Sequence, residues 1–226
     1  MCGLAGFLRT ETTPNRDAHR QWLEAMGLAI VHRGPDASGH FLDDSVGLTH
    51  RRLSILDLSD SGKQPMKSPS GRYFISFNGE IYNYRSLRKD LEADGYVFRT
   101  GTDTEVLLAL FEQKGYRCLD ELNGMFAFAI WDAEAKQVFL ARDRLGKKPL
   151  YYYEEGGRFA FASELKSLLK LPFIPRTVRP DSVKDFFAYQ YVPDPKTIYK
   201  NIHKLPAGHW LISDGVRTEQ HQYWDV

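Results

Sequence analysis

Cys2 could act as a nucleophile, because it directly follows Met1. A small second residue usually permits removal of an initiator methionine, and Cys2 would then carry both a thiol and a free α-amine. A deprotonated thiol is a strong nucleophile, and a terminal amine with an ordinary pKa of about 7.7 to 8.0 accepts a proton near neutral pH. Taken alone, a cysteine at this position is better explained by packing. With suitable neighbours it would combine a nucleophile and its base in one residue.

The segment NGE at positions 78–80 offers hydrogen-bond donors and an acid. Asn78 and Gly79 follow the strand-like run YFISF, and a side-chain amide beside a glycine N–H could hold a developing oxyanion, at about 3 kcal/mol per donor. An ordinary Asn-Gly turn is the structural alternative. Glu80 has no helix to cap, so its carboxylate either faces a ligand or is a solvated turn acid.

Two further segments carry charges that could bind an amino acid. Asp103 lies in the first turn of a helix whose predicted capping box is Thr102 with Glu105, so it either faces a ligand amine or compensates the helix dipole. Arg51 and Arg52 could each bind a carboxylate through two hydrogen bonds, or simply pair on the surface. For each residue alone the structural explanation is the more frequent one.

Taken together, these residues fit a site that binds an α-amino acid and attacks its side-chain amide. Other chemistries find less support. The histidines show neither an HExxH motif nor a Cys/His cluster, so no metal site is expected. The GKK at 146–148 lacks the spacing of a phosphate loop, so no nucleotide site is expected either. The turns HRGPD and RDRLGKKPLYY predict loop-holding ion pairs, Arg33 with Asp36 and Arg142 with Asp143.

The elements that must position these residues follow from the apolar patterns. Helices are predicted at 17–32, 84–95, 101–115, 164–170 and 181–189. Strands are predicted at 38–42, 45–50, 73–78, 125–132, 137–143, 149–153 and 158–163, with a final hairpin at 208–224. Strand and helix groups interleave without strict βαβ alternation, which favours a mainly antiparallel α+β architecture.

Composition narrows the class of protein. The 226 residues contain 30 Lys+Arg and 29 Asp+Glu, for a net charge of +1, so neither a nucleic acid nor a membrane surface is an expected partner. Two cysteines are too few for a disulfide framework. There is no basic leader and no apolar run of about 18 residues, so we predict a cytoplasmic protein.

Seven segments resemble, in order, the glutaminase domain of glutamine-hydrolysing asparagine synthetases: MCGLAGF, HRGPDASG, HRRLSILDLS, FNGEIYN, TGTDTEVLL, LNGMFAFAIWD and RDRLGKKPLYY. The resemblance implies a class II glutamine amidotransferase domain over 1–226. Its fold would be that of the N-terminal nucleophile hydrolases, an α+β four-layer αββα sandwich with two antiparallel sheets. Residues 172–226 would be a C-terminal extension leading to a synthetase domain. Proline in RGPD, where glucosamine-6-phosphate synthase typically has tyrosine, favours the asparagine synthetase branch.

The same resemblance implies a role for each candidate residue. Cys2 would be the nucleophile, and Asn78 and Gly79 would form the oxyanion hole. The remaining residues would bind the substrate: the α-carboxylate of glutamine by Arg52 with the backbone of Leu53 and Ile55, and its α-amine by Glu80 and Asp103. Glutamine would be hydrolysed to glutamate and ammonia through a cysteinyl thioester.

The resemblance also implies partners and cofactors. Ammonia would pass to an ATP-dependent synthetase domain that makes asparagine from aspartate, and that domain's Ser-Gly-Gly-x-Asp-Ser loop is absent from this sequence. ATP and Mg are expected only in that domain, and no cofactor in this chain. Two alternatives stay open, an amidotransferase serving a different carboxylate acceptor and a glutamine-sensing module that does not hydrolyse. Removal of Met1 and a homodimer are left open as well.

Overall fold

The computed structural model describes residues 1–8, 15–55, 57 and 59–226. Within these ranges the strands are β1 (Gly3–Leu8), β2 (Ala37–Leu42), β3 (Val46–Arg52), β4 (Met66–Lys67), β5 (Tyr73–Ile81), β6 (Gly124–Asp132), β7 (Gln137–Arg142), β8 (Tyr151–Glu155), β9 (Arg158–Ala162), β10 (Ile202–Lys204), β11 (His209–Ser213) and β12 (Thr218–Gln222). The α-helices are α1 (Arg16–Ala29), α2 (Tyr84–Ala93), α3 (Asp103–Lys114), α4 (Cys118–Glu121), α5 (Leu165–Leu168) and α6 (Pro180–Tyr189).

The strands form two antiparallel sheets. The first has the order β10-β8-β9-β1-β3-β2, and the second has the order β12-β11-β7-β6-β5-β4. The segment predicted as a C-terminal extension, 172–226, contributes β10 to the first sheet and β11 and β12 to the second.

Three apolar clusters hold four layers together. Residues such as Leu48, Trp131 and Phe161 fill the space between the two sheets. Helix α1 packs on the outer face of the first sheet through Leu23 and Met26, and α3 packs on the outer face of the second sheet with α2 beside it. The predicted α+β class, the two antiparallel sheets and the four-layer αββα order are therefore confirmed.

Strand β1 was not predicted from the sequence, although it lies between β9 and β3 near the middle of the first sheet. Every residue of its GLAGFL run is buried. A strand buried on both faces shows no alternation of polar and apolar residues, and its two glycines lower its intrinsic strand preference. Only the pairing partners on both sides identify it as a strand.

Helix α3 begins and ends as its sequence predicts, with one difference in the cap. Thr102 Oγ1 accepts the N–H of Glu105 at 3.2 Å, and Gly115 follows the helix with a φ of +59°. The Glu105 carboxylate instead accepts the N–H groups of Arg99 at 2.9 Å and Thr100 at 2.7 Å. Only the threonine half of the predicted capping box is therefore formed, and the glutamate anchors the incoming loop.

A buried histidine joins the two sheets. His50, in β3, is fully buried, and its Nε2 lies 2.9 Å from the carbonyl oxygen of Phe77 in β5. Burial lowers the pKa of His50 to about 4, so the ring is neutral at pH 7 and its Nε2–H donates to that carbonyl. This bond links β3 of the first sheet to β5 of the second sheet, which faces it. No helix in the described ranges has the length and apolar character needed to cross a membrane.

Candidate functional site

The backbone N–H of Gly79 points away from the neighbouring strand β6. Gly79 lies opposite Phe126 of β6, but the N–H of Phe126 donates to Asp143 Oδ2 at 3.1 Å and its carbonyl accepts the N–H of Asp143 at 2.8 Å. Gly79 and Phe126 are therefore a pair that does not exchange hydrogen bonds, and the backbone N–H of Gly79 faces away from β6.

The residues two before and two after Gly79 show where this side of β5 faces. The N–H of Phe77 donates to Gln64 Oε1 at 2.6 Å, and the N–H of Ile81 donates to Asp103 Oδ2 at 3.0 Å. Gln64 and Asp103 both line one pocket, together with Gly79. The Gly79 N–H lies between these two occupied donors and faces the same pocket.

Glycine is required at position 79 by the packing of the two strands. A Cβ atom there would stand 2.3 Å from the carbonyl oxygen of Met125 and 2.7 Å from Cα of Phe126. Both are backbone atoms of β6 and cannot move aside without disturbing the sheet. The Asn-Gly pair is therefore part of a continuous strand and not the ordinary turn that was the structural alternative.

Asn78 places a buried donor in the same pocket. The residue is 1% exposed, and its Nδ2 has no hydrogen-bond partner among the described residues. An unsatisfied buried polar group costs about 1 to 3 kcal/mol, so native proteins keep few of them. The amide of Asn78 is thus available to a ligand that occupies the pocket.

Cys2 reaches the pocket because of the register of the first sheet. Gly3 pairs with Arg51, so the preceding residue, Cys2, lies across from Arg52. The N–H of Leu53 donates to Cys2 Sγ at 3.4 Å, and the thiol lies 3.6 Å from the carbonyl oxygen of Leu53. Burial raises the pKa of Cys2, while the Leu53 N–H and the positive charges of the chain terminus and Arg52 act in the opposite direction.

Arg52 is buried and shapes the loop that closes the pocket. The residue is 7% exposed, its Nη1 donates to the carbonyl oxygen of Ser59 at 2.7 Å, and its Nη2 donates to that of Asp57. A Cβ on Gly62 would lie 2.2 Å from Nη2, so glycine lets the loop close over the guanidinium. A guanidinium has five N–H donors, which leaves some for a carboxylate. Arg51 instead donates from Nε to the carbonyl oxygen of Gly27 in α1, at 3.2 Å.

Two carboxylates give the pocket a negative end. Asp103 is 5% exposed, and burial, together with the nearby charge of Glu80, raises the pKa of Asp103 to about 6. Two acids held close together in a poorly solvated place favour a cationic ligand, because its charge relieves their repulsion.

All eight residues predicted for the site line this one pocket: Cys2, Arg52, Leu53, Ile55, Asn78, Gly79, Glu80 and Asp103. Ile55 lies at the rim with 67% of its surface exposed. The structure thus brings together the residue that precedes β1 with residues from β3, β5, α3 and the loop after β3. Their individual roles stay predictions.

Sequence reasoning missed other lining residues, among them Gln64 and Lys148. Gln64 joins β5 to α3, because its Nε2 also donates to Thr104 Oγ1 at 3.2 Å. Lys148 is 5% exposed, whereas its neighbour Lys147 is exposed. Two adjacent lysines in a turn carry no sequence signal that separates a buried one from a solvated one.

The loop arginines and aspartates do not pair as predicted. Arg33 Nη1 donates to Glu164 Oε1 at 3.0 Å, and Asp36 Oδ2 accepts the N–H of Ser54 at 2.8 Å. The prediction of an Arg33–Asp36 pair is therefore wrong. So is the prediction for the other turn, where Arg142 Nη1 bonds Asp194 Oδ2 at 3.0 Å while the carboxylate of Asp143 accepts backbone N–H groups of its own loop.

No group of three or more His, Cys, Asp or Glu side chains in the described ranges is arranged to hold a metal ion.

Comparison with known sequences gives consistent relatives. A family model described as a glutamine amidotransferase domain matches residues 1–224. Asparagine synthetase [glutamine-hydrolyzing] 1 of Bacillus subtilis is 40% identical and aligns with 92% of this chain. Asparagine synthetase B [glutamine-hydrolyzing] of Escherichia coli is 38% identical over 99% of it. A protein named amidase chry2, from Gibberella zeae, is 36% identical over 100% of it. The chain spans about a third of each relative, 33%, 35% and 34% respectively.

Comparison with solved structures supports the fold. Glutamine phosphoribosylpyrophosphate amidotransferase from B. subtilis, solved with ADP and GMP, superposes with a TM-score of 0.70. The match covers 99% of this chain and 49% of that one, at 20% sequence identity. At this identity the likeness concerns the fold alone.

Proposed function

The chain belongs to the glutamine amidotransferase domain family, and from this premise we propose that it hydrolyses glutamine to glutamate and ammonia through a thioester on Cys2. The observation that carries the proposal is the pocket itself. It combines the Cys2 thiol with two donors that face the cavity, the Asn78 amide and the Gly79 N–H, and with a buried cation and two acids at its edges.

Glutamine would be held by its α-carbon groups. The α-carboxylate would accept hydrogen bonds from Arg52 and from the backbone of Leu53 and Ile55. The Arg52 guanidinium is suited to this because it is buried and held in place by the loop carbonyls. The α-ammonium would lie between Glu80 and Asp103. With both charged groups on the α-carbon fixed, the side-chain amide of glutamine would point toward Cys2.

The reaction would have two halves, formation of the thioester and its hydrolysis. The Cys2 sulfur attacks the amide carbon, and its proton passes to the α-amine of Cys2, through a water molecule. The tetrahedral oxyanion is stabilised by Asn78 Nδ2 and the Gly79 N–H. When the intermediate collapses, the C–N bond breaks and the nitrogen leaves as ammonia with the proton that the α-amine had taken. Water then attacks the thioester carbonyl, releases glutamate and returns the proton to the thiol.

This mechanism requires removal of Met1. With Met1 in place, the nitrogen of Cys2 belongs to a peptide bond and cannot accept a proton. The Met1 side chain also lines the pocket, with its Sδ 3.1 Å from Lys148 Nζ. Cleavage of the Met1–Cys2 bond would therefore create the base and enlarge the pocket in one step.

The acceptor of the ammonia is the subject of a second, more specific proposal. We propose that ammonia serves asparagine synthesis from aspartate in a C-terminal synthetase domain, where ATP and Mg would be used, because two relatives are named asparagine synthetases and are about three times as long as this chain. Ammonia must stay unprotonated to act as a nucleophile, which favours direct transfer between domains. The relative named an amidase keeps a different acceptor as the second candidate.

The glutaminase proposal is tested with chain that begins at Cys2, verified by intact mass. Ammonia and glutamate release are measured for the wild type, Cys2→Ala and Cys118→Ala, the last changing the other cysteine, which is buried in the core. We expect Cys2→Ala to abolish turnover and Cys118→Ala to keep it. A glutamine analogue that alkylates thiols should label Cys2 and not Cys118. Turnover by Cys2→Ala would refute the thioester mechanism.

A further inference from the structure

Lys148 is a buried cation that the proposed mechanism does not use. The residue is 5% exposed, lines the pocket beside Cys2, and its Nζ lies 3.1 Å from Met1 Sδ. Within the described residues this Nζ forms no salt bridge and has no other hydrogen-bond partner. A thioether sulfur is a weak acceptor, and buried lysines are normally paired with an acid. The position of this charge therefore calls for a reason.

The acids around Lys148 are committed to other groups. Asp143 accepts N–H groups of residues 126, 145, 147 and 148, so its charge is already shared within its own loop. Glu80 would be occupied by the ammonium of bound glutamine. The remaining neighbours are Arg33, which is positive and donates from Nε to the Cys2 carbonyl oxygen at 2.9 Å, and Cys2 itself.

The charges that act on Cys2 come from the same surroundings. Arg52 is positive and Asp103 negative, and both influence the thiol. Once Asp103 and Glu80 bind the substrate ammonium, Arg52 binds the substrate carboxylate. Arg33 is already paired with Glu164 at 3.0 Å, so the cation near the start of β1 that has no acid partner among the described residues is Lys148. Removal of Met1 takes away the sulfur contact of Lys148 and frees the α-amine of Cys2, which lines the same pocket as Lys148.

We propose that the positive charge of Lys148 keeps the α-amine of the terminal Cys2 neutral. The amine is then ready to accept the proton of the Cys2 thiol. Two amines in one poorly solvated pocket disfavour simultaneous protonation. The group with the lower ordinary pKa gives up its proton first, and that is the α-amine, at about 7.7 to 8.0 against about 10.4 for a lysine. The positive charge of Lys148 would also stabilise the thiolate. This role rests on the proposed function, since only a reaction at Cys2 needs the free amine.

The burial of Lys148 supports this arrangement. Burial and the positive charge of Arg33 lower the pKa of Lys148, while Asp143, Cys2 and Glu80 act in the opposite direction. Its ordinary pKa stands well above that of the α-amine, so the lysine is the group that keeps its proton when the two compete. A packing role alone would need only the apolar stem, and this difference makes the proposal testable.

The experiment uses chain that begins at Cys2, prepared with a methionine aminopeptidase and verified by intact mass. Lys148→Met keeps an unbranched stem without charge, Lys148→Arg keeps the charge, and Lys147→Met changes the exposed neighbour as the matched control. Because the chain has two cysteines, labelling with ¹³C,¹⁵N-cysteine gives a simple spectrum, and Cys118→Ala assigns the Cys2 signals. The pH titrations of the Cys2 amine nitrogen and β-carbon are followed together, so that the amine is distinguished from the thiol, which titrates in an overlapping pH range.

In Lys148→Met we expect the α-amine of Cys2 to titrate about one pH unit higher than in the wild type. At any pH well below its pKa, the fraction of neutral amine would then be about tenfold smaller. The amine of Lys148→Arg should titrate near the wild-type pH, and that of Lys147→Met should titrate at the wild-type pH. The acid limb of the kcat/KM profile for glutamine should move with the amine. An unchanged amine titration in a folded Lys148→Met variant would overturn the inference.

The two proposals fail in different ways. If the wild type does not turn glutamine over but the amine still responds to Lys148, the proposed function is wrong and the electrostatic role stands. If glutamine is turned over and the amine does not respond, the glutaminase stands and the role of Lys148 is wrong.

Discussion

Asp103 Oδ2 accepts the backbone N–H of Ile81 at 3.0 Å, which joins the first turn of α3 to the outward edge of β5. The bond places an acid from the helix beside Glu80 of the strand, only two residues from Asn78. The end of the pocket that would bind an ammonium group and the donors that would hold an oxyanion therefore share one strand edge. Changes at Asp103 should affect binding, whereas changes at Asn78 should affect turnover.

Asp103 should make glutamine binding depend on pH. Its pKa is raised to about 6, so the carboxylate is charged at pH 8 and largely protonated at pH 5. A protonated acid attracts an ammonium group far less, and we expect the affinity for glutamine to fall as the pH drops through about 6. Calorimetric titration of Cys2→Ala with glutamine, which separates binding from turnover, would measure this fall.

Asp103→Asn in the same background should weaken binding at pH 8 and remove most of the pH dependence near 6. An asparagine side-chain oxygen can still accept the Ile81 N–H, so the fold should be retained. Because the folded-state pKa of Asp103 lies above the unfolded value, the wild type loses stability as the pH rises from about 4 to 6. Asp103→Asn should lack this loss. Binding that stays equally pH-dependent in Asp103→Asn would place the titrating group elsewhere.

Asn78→Ala should lower kcat by about 100- to 1000-fold and leave KM nearly unchanged, because the amide would act on the oxyanion and not on the ground-state substrate. Its Nδ2 has no partner to lose within the described residues, so thermal unfolding of the variant should occur near the wild-type temperature. Steady-state kinetics with a melting curve separate the two effects. A rise in KM at constant kcat would assign Asn78 to substrate binding instead.

Arg52→Lys should raise KM for glutamine and loosen the loop at 59–62. A lysine cannot donate to the carbonyls of Asp57 and Ser59 while also binding a carboxylate through two parallel hydrogen bonds. Arg51→Lys is the matched control, since Arg51 is directed to α1. Kinetics and hydrogen exchange at residues 59–62 measure both effects. Equal effects of the two substitutions would refute a specific role for Arg52.

His50 should make the fold sensitive to acid. Its pKa is lowered to about 4 by burial, so protons bind the unfolded chain more readily between pH 6.5 and 4. Stability contributed by the neutral ring is present above about 6.5 and is lost as the pH falls toward 4, by up to about 3 kcal/mol. Urea unfolding from pH 7 to pH 4 would measure this loss.

His50→Gln keeps a side-chain donor for the carbonyl oxygen of Phe77 and removes the titration. The variant should show a flatter stability profile over the same range than the wild type. His221→Gln changes an exposed histidine and serves as the control. If His50→Gln loses stability with acid as steeply as the wild type, another group governs the acid sensitivity.

The amino-acid sequence by itself determined most of the secondary structure and the identity of the candidate residues. The helical repeat of α1, the Thr102 cap of α3 and the apolar runs of β6 and β7 are local properties, because short-range side-chain periodicity and capping produce them. The motifs around Cys2, Asn78 and Asp103 indicated the family in the same way. Strand β1 could not be predicted, since a strand buried on both faces has no periodic signal.

Only the tertiary structure decided which of these groups meet. The register of β1 against β3 brings Cys2 across from Arg52, and the pairing of β5 with β6 turns the Gly79 N–H outward. Burial separates Arg52 from Arg51 and Lys148 from Lys147, although each pair is adjacent in the chain. Such distinctions depend on long-range packing and on the loss of solvent around a charge, neither of which a residue's sequence neighbours encode. The same loss of solvent raises the pKa of Asp103 and lowers that of Lys148, which forms no salt bridge with any residue that the structure describes.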